Sequence, residues 1–106
     1  MTGIEQGSIN VYEDLGYDDA AKMQVKAALA VKIGDILKRR RLTQTEAAVI
    51  LGMTQPKLSA MLRGQFRGIS ESKMIDCLNH LGRDVEIVVR KPAHTRRPGQ
   101  TRVVDV

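Results

Sequence analysis

Apolar residues in this chain recur at spacings of three and four through its middle, then alternate one by one near its end. The first period belongs to helices and the second to a strand. Met23, Ala27, Ala30, Ile33 and Leu37 fall on one helical face, which predicts a first helix from about Asp19 to Arg40. Asp18 or Asp19 suits its N-cap, and Lys38, Arg39 and Arg40 suit the negative end of its dipole.

The next helix has a strong start signal. Thr43 and Glu46 form a T-x-x-E capping box, in which each side chain satisfies a backbone donor of the other residue. That helix runs to about Leu51 and stops at Gly52, a residue that accepts the left-handed backbone of a helix end. Only Met53 separates this glycine from a second cap, Thr54. A third helix follows from Gln55 to about Arg63, with Pro56 in the first turn, where no intrahelical N–H is needed. Gly64 ends it. After the loop Gln65 to Gly68, Ser70 caps a fourth helix, with Ile69 and Met74 at the two positions of a hydrophobic staple. Met74, Leu78 and Leu81 form its buried stripe, and Gly82 closes it.

Then the period becomes two. Val85, Ile87 and Val89 alternate with Glu86, Val88 and Arg90, which predicts one strand ended by Pro92. A lone strand leaves a row of N–H and C=O groups without partners. Ser8 to Val11 is a weak second strand, so the simplest partner is another copy of this chain, in a two-stranded antiparallel ribbon about a two-fold axis. Val85, Ile87 and Val89 are then the dimerisation residues. The competing expectation is that this segment packs on its own helices.

Pairing a short helix, a glycine, one apolar residue and a second short helix gives a helix-turn-helix. Two steeply crossing helices need a small residue where they touch, and Ala48 supplies it. The turn uses Gly52, and Leu58 anchors the second helix, while Ala47, Leu51, Met53 and Met61 take the remaining inward positions. Each residue type is common; their joint spacing between Gln44 and Arg63 is specific. A plain αα-hairpin without a nucleic-acid role is the competing reading.

Charge supports that picture without deciding it. The 106 residues carry seventeen Lys and Arg against twelve Asp and Glu, a formal net charge of +5. It is unevenly placed. Residues 1–19 sum to −5, residues 20–89 to +6 and residues 90–106 to +4. The chain therefore divides into an acidic arm (1–18), a helix-turn-helix domain with its strand (19–91) and a basic tail (92–106) expected to be disordered. The arms have two readings, as solvated ends or as contact surfaces, the acidic one for a basic protein and the basic one for nucleic acid.

Length limits the chain to one domain with a modest core. The single cysteine forms no internal disulfide, which suits a reducing cytoplasm. No apolar run approaches the ~18 residues of a membrane helix, and the first residues lack a signal-peptide pattern, so a cytoplasmic protein without membrane contact is expected. An enzyme is not expected. His80 and His94 lie far apart, Cys77 sits beside Leu78 on a helix, and no His/Cys/Asp/Glu set has metal-ligand spacing. There is no phosphate-cradling glycine loop either, so no cofactor, metal or small-molecule substrate is anticipated.

Residues Leu42 to Gly64 resemble the Xre/Cro/C1 family of phage-type repressors, which implies a mainly all-α, four- to five-helix fold like that of the lambda repressor. The opening Ser8-Ile-Asn-Val-Tyr-Glu-Asp-Leu-Gly16, the loop Arg63-Gly-Gln-Phe-Arg-Gly68 and the strand Leu81-Gly-Arg-Asp-Val-Glu-Ile-Val-Val-Arg90 are similar to a subgroup found as HigA-like antitoxins. That resemblance spans roughly residues 8–91. It implies a repressor that also neutralises a RelE/HigB-like toxin and regulates their shared operon. A stand-alone phage-type regulator with no toxin is the alternative.

The resemblance also assigns roles. Gln44 matches the family position that reaches a DNA phosphate and braces the reading helix. Gln55 matches the main base-reading position, where an amide pairs bidentately with adenine. Thr54 caps the reading helix, and its hydroxyl suits a phosphate contact beside the N–H groups of that helix. Pro56 departs from the usual Ser or Gln, so contact there is apolar, as with a thymine methyl. Lys57 reads guanine or touches phosphate, with phosphate favoured; Ser59 and Ala60 complete the exposed face. Arg63 and Arg67 follow the helix and clamp backbone, against a reading as solvated surface. Arg39-Arg40-Arg41 either serves the end of the first helix or contacts phosphate. Such repressors bind operator DNA as dimers, with half-sites about one helical turn, ~34 Å, apart.

Overall fold

The computed structural model describes residues 17–92 and 98–105. Among them the regular structure is four helices: α1 (Tyr17–Arg39), α2 (Gln44–Leu51), α3 (Gln55–Leu62) and α4 (Glu71–His80). α1 packs chiefly on α4 and also touches α3, while α2 rests on both α3 and α4. Every helix feeds one core, whose most enclosed side chains are Ile33, Leu51, Leu58, Met61, Met74 and Cys77.

α1 buries a wider arc than its period suggested. Leu29, Ala30, Ile33, Ile36 and Leu37 are all in the core. Ala27, expected on that face, is exposed instead and lines an open groove with Val31, Gly34 and Leu62. At 100° per residue the arc centres on Ile33, which leaves Ala27 on its flank. The helix begins at Tyr17, so Asp19 lies within its first turn and is not its cap. Its carboxylate pairs with the Arg67 guanidinium at 2.7 Å.

α2 starts as its capping box predicts. The Thr43 backbone N–H donates to Glu46 Oε1 at 2.9 Å, and the Glu46 N–H donates to Thr43 Oγ1 at 3.1 Å. The backbone N–H of Thr43, and then its hydroxyl, hold the Glu46 carboxyl below the usual glutamate range by bonding its charged form. A depressed carboxyl stabilises the fold above its unfolded pKa and loses that contribution as pH falls through the folded value. Thr43→Ala is therefore expected to cost about 1 kcal/mol in urea denaturation at neutral pH. The part of that difference carried by the hydroxyl–carboxylate bond fades on acidification below the glutamate range, and a gap that stays constant with pH would contradict that bond.

Gly52 ends α2 in the left-handed region, with φ 65°, and its N–H points back to the carbonyls of Ala48 and Val49. A side chain from α4 reinforces this end, since Lys73 Nζ donates to the Leu51 carbonyl at 3.1 Å. Ser70 caps α4 by accepting from the Lys73 N–H at 3.1 Å. The staple residues Ile69 and Met74 are both buried.

The predicted C-terminal strand is not present among the described residues. Residues 83–92 have neither helix nor sheet pairing. A ladder needs a second strand, and the helical body offers none; Ser8 to Val11 lies outside the described residues. Nor does the segment pack on its own helices: Ile87 is 82% and Val89 92% exposed, and Val88 is also exposed. Part of the stretch expected as a disordered tail does make contacts. Val103 packs against the core, and Asp105 pairs with Lys32 on α1. No described helix is long and apolar enough to cross a membrane.

Candidate nucleic-acid interface

α2, the turn through Gly52, Met53 and Thr54, and α3 form a helix-turn-helix held from inside. Ala47, Leu51, Leu58 and Met61 are fully enclosed, and Ala48 is 6% exposed, so its methyl leaves room for the neighbouring helix. Met53 is only half-buried. With its apolar side committed to the core, the motif turns its polar side outward. Gln44, Thr54, Gln55, Pro56 and Lys57 are exposed, while Ser59 and Ala60 are half-buried.

The two glutamines belong to different helices, yet they meet. Gln55 Nε2 donates to Gln44 Oε1 at 3.4 Å, which puts the starts of α2 and α3 side by side. Both starts present backbone N–H groups that an anion can satisfy. Thr54 caps α3 by accepting from the Lys57 N–H at 3.3 Å, and its hydroxyl proton stays available to an external acceptor. Lys57 forms no ion pair among the described residues.

Beyond α3 the two arginines are engaged. The Arg63 guanidinium donates to Ser59 Oγ and, at 3.4 Å, to Gln65 Oε1. Arg67 is tied at two points. Its guanidinium holds Asp19, and its carbonyl accepts from Lys26 Nζ at 3.2 Å. Lys26 is 7% exposed and also donates to the Phe66 carbonyl at 3.4 Å. This lysine was missed by the sequence reading, which treated only apolar residues as inward. Its spacing from Ala30, Ile33 and Leu37 is that of one helical face, and that was the available signal.

Other chemistry is sparse. Cys77 is buried, and burial pushes its thiol pKa up, which disfavours the reactive thiolate. Among the described residues no group of His, Cys, Asp and Glu is placed to hold a metal ion.

The comparisons agree with this geometry. A family model described as a helix-turn-helix domain matches residues 11–90. A solved structure named as an XRE family transcriptional regulator is 39% identical, with a TM-score of 0.77, over 83% of this chain and 99% of that one. No curated protein matches. The enclosed crossing, the glycine turn and two capped helices in that order identify the chain as a member of the XRE family of helix-turn-helix proteins.

Proposed function

We propose that this protein is a sequence-specific DNA-binding repressor of transcription that acts as a homodimer in the cytoplasm. The observation that carries the reading is the Gln44–Gln55 contact, which sets two exposed amides and two helix starts on one polar side of the motif. In the complex, α3 enters the major groove. Gln55 reads adenine there, Pro56 meets a thymine methyl, and the small Ala60 and Ser59 allow close approach. Gln44, Thr54 and Lys57 touch phosphate. Arg63 and Arg67 clamp the backbone beyond the helix, and Arg67 exchanges Asp19 for a phosphate as it does so.

Selection from a pool of randomised DNA duplexes tests the reading. Wild-type protein is expected to enrich two half-sites about one helical turn apart. Failure to enrich any sequence overturns it. Gln55→Ala is expected to lower the preference for the selected site over a version altered at its adenine by roughly 5- to 150-fold. The melting temperature stays within a degree or two, since the residue is exposed. An unchanged preference removes Gln55 from the reading face.

The exposed Val85, Ile87, Val88 and Val89 support the homodimer, because a second copy of the segment supplies both the missing ladder and apolar cover. A further role as an antitoxin is supported by the −5 charge of residues 1–19, which complements a small basic RelE/HigB-like toxin. Its test is co-purification with the product of the neighbouring reading frame. A partner of that kind supports the antitoxin role; no partner leaves a stand-alone repressor.

A further inference from the structure

α1 ends at Arg39, the first of three consecutive arginines, and the third, Arg41, stands where a side chain is disfavoured. Arg41 has φ 54°, and it is the one non-glycine residue with a left-handed backbone among those described. The hydrogen bonds around it explain why the chain must turn there. The Arg41 N–H donates to the Lys38 carbonyl at 3.1 Å, and the Leu42 N–H donates to the Leu37 carbonyl at 3.0 Å. This doubly bonded helix end is the kind that glycine usually completes, because a Cβ crowds the following carbonyl. Gly52, Gly64 and Gly82 occupy the left-handed positions after the other three helices. Arg41 breaks that pattern.

Nothing among the described residues accounts for the exception. Arg41 is exposed, and its guanidinium makes no hydrogen bond or ion pair with another described residue. The nearby acid Glu46 is committed to the Thr43 cap. The dipole of α1 already has Lys38 and Arg39 in its last turn. A disfavoured residue without an internal role points outward. Its location says to what. Thr43, the cap of α2, is two residues on, at most about 7 Å along the chain. Gln44 follows and meets Gln55 at the start of α3. Arg41 thus stands at the end of the motif where two helix starts and the exposed amides gather.

We propose that Arg41 binds a DNA phosphate beside the start of α2 and contributes affinity without sequence preference. This rests on the DNA-binding reading above. A guanidinium is suited to the contact because it stays charged and grips phosphate oxygens with a planar fork. The glycine-like turn places it there whatever the register of the bases.

The test compares wild type, Arg41→Gly, Arg41→Asn and Arg41→Lys on a fluorescent random-sequence duplex of about 30 base pairs, long enough for two half-sites. Arg41→Gly relieves the backbone and is expected to raise the melting temperature by about 2–6 °C, so loss of folding does not confuse the result. Its affinity at ~0.1 M salt is expected to fall roughly 5- to 10-fold per protomer, and the slope of log affinity on log salt becomes shallower by about 0.9 per protomer. Arg41→Asn tolerates the same backbone and is expected to show the same loss, whereas Arg41→Lys keeps most of the affinity and the slope. Discrimination between the selected site and its altered version stays as in wild type for all three. Two results separate the failures. If wild type binds the duplex with a salt slope that Arg41→Gly and Arg41→Asn share, the Arg41 contact is wrong and the DNA reading stands. If wild type has no salt-dependent binding at all, both fall together.

Discussion

Ile87→Pro is expected to leave the helical body folded, to sediment as a monomer, and to bind a two-half-site operator roughly 100- to 10,000-fold more weakly than wild type. Ile87 is 82% exposed, in a segment with no pairing among the described residues. A proline there touches no part of the core, so the melting curve of the helices is expected to persist at low concentration. It does remove a backbone donor from the centre of any ribbon and clashes with a continuous ladder. On the proposed dimer, separated copies each read one half-site, and the gain from binding the second as an intramolecular event is lost. Sedimentation measures the first effect and titration with operator DNA the second. A variant that remains dimeric rules out the Val85 to Val89 ribbon.

Leu58→Ala is expected to cost about 2–5 kcal/mol in chemical denaturation, a large share of the ~5–15 kcal/mol that holds a small domain together. Leu58 is fully enclosed in the core between α2 and α3 and lies one turn before Met61, which is equally enclosed. Truncation removes three carbons from the place where the angle between the two helices is decided, and leaves a void that the neighbours fill only in part. Binding is expected to weaken along with stability, because Gln55 and Gln44 depend on that angle to meet. The measurement is a urea midpoint beside a DNA titration at a temperature where the variant is still folded. Stability within half a kcal/mol of wild type would mean that Leu58 does not anchor the reading helix.

These two substitutions mark different depths of legibility in the sequence. Leu58, Ala48 and Gly52 were readable because each answers a local demand repeated in register: a period, a small residue at a crossing, a left-handed turn. The caps Thr43, Thr54 and Ser70 were readable for the same reason, since a cap and its donor lie within three residues of each other. Ala27 was misplaced because a face drawn from one helix alone has no partner to centre it. Lys26 was overlooked because its reward lies forty residues away, at the carbonyls of Phe66 and Arg67. A separation of 48 residues hid the Asp19–Arg67 pair, which makes an expected cap into a competitor for a proposed DNA contact.

Period and capping over short stretches of chain specify the four helices among the described residues, most of their ends and the helix-turn-helix. Packing fixes the rest: that the Gln44 and Gln55 amides meet, that Arg41 holds a glycine's backbone without a side-chain partner among the described residues, and that Val85 to Val89 has no ladder among them. Those outcomes depend on how helices pack and on which groups remain unsatisfied afterwards. Such contacts join residues far apart in the chain, and no local pattern encodes them.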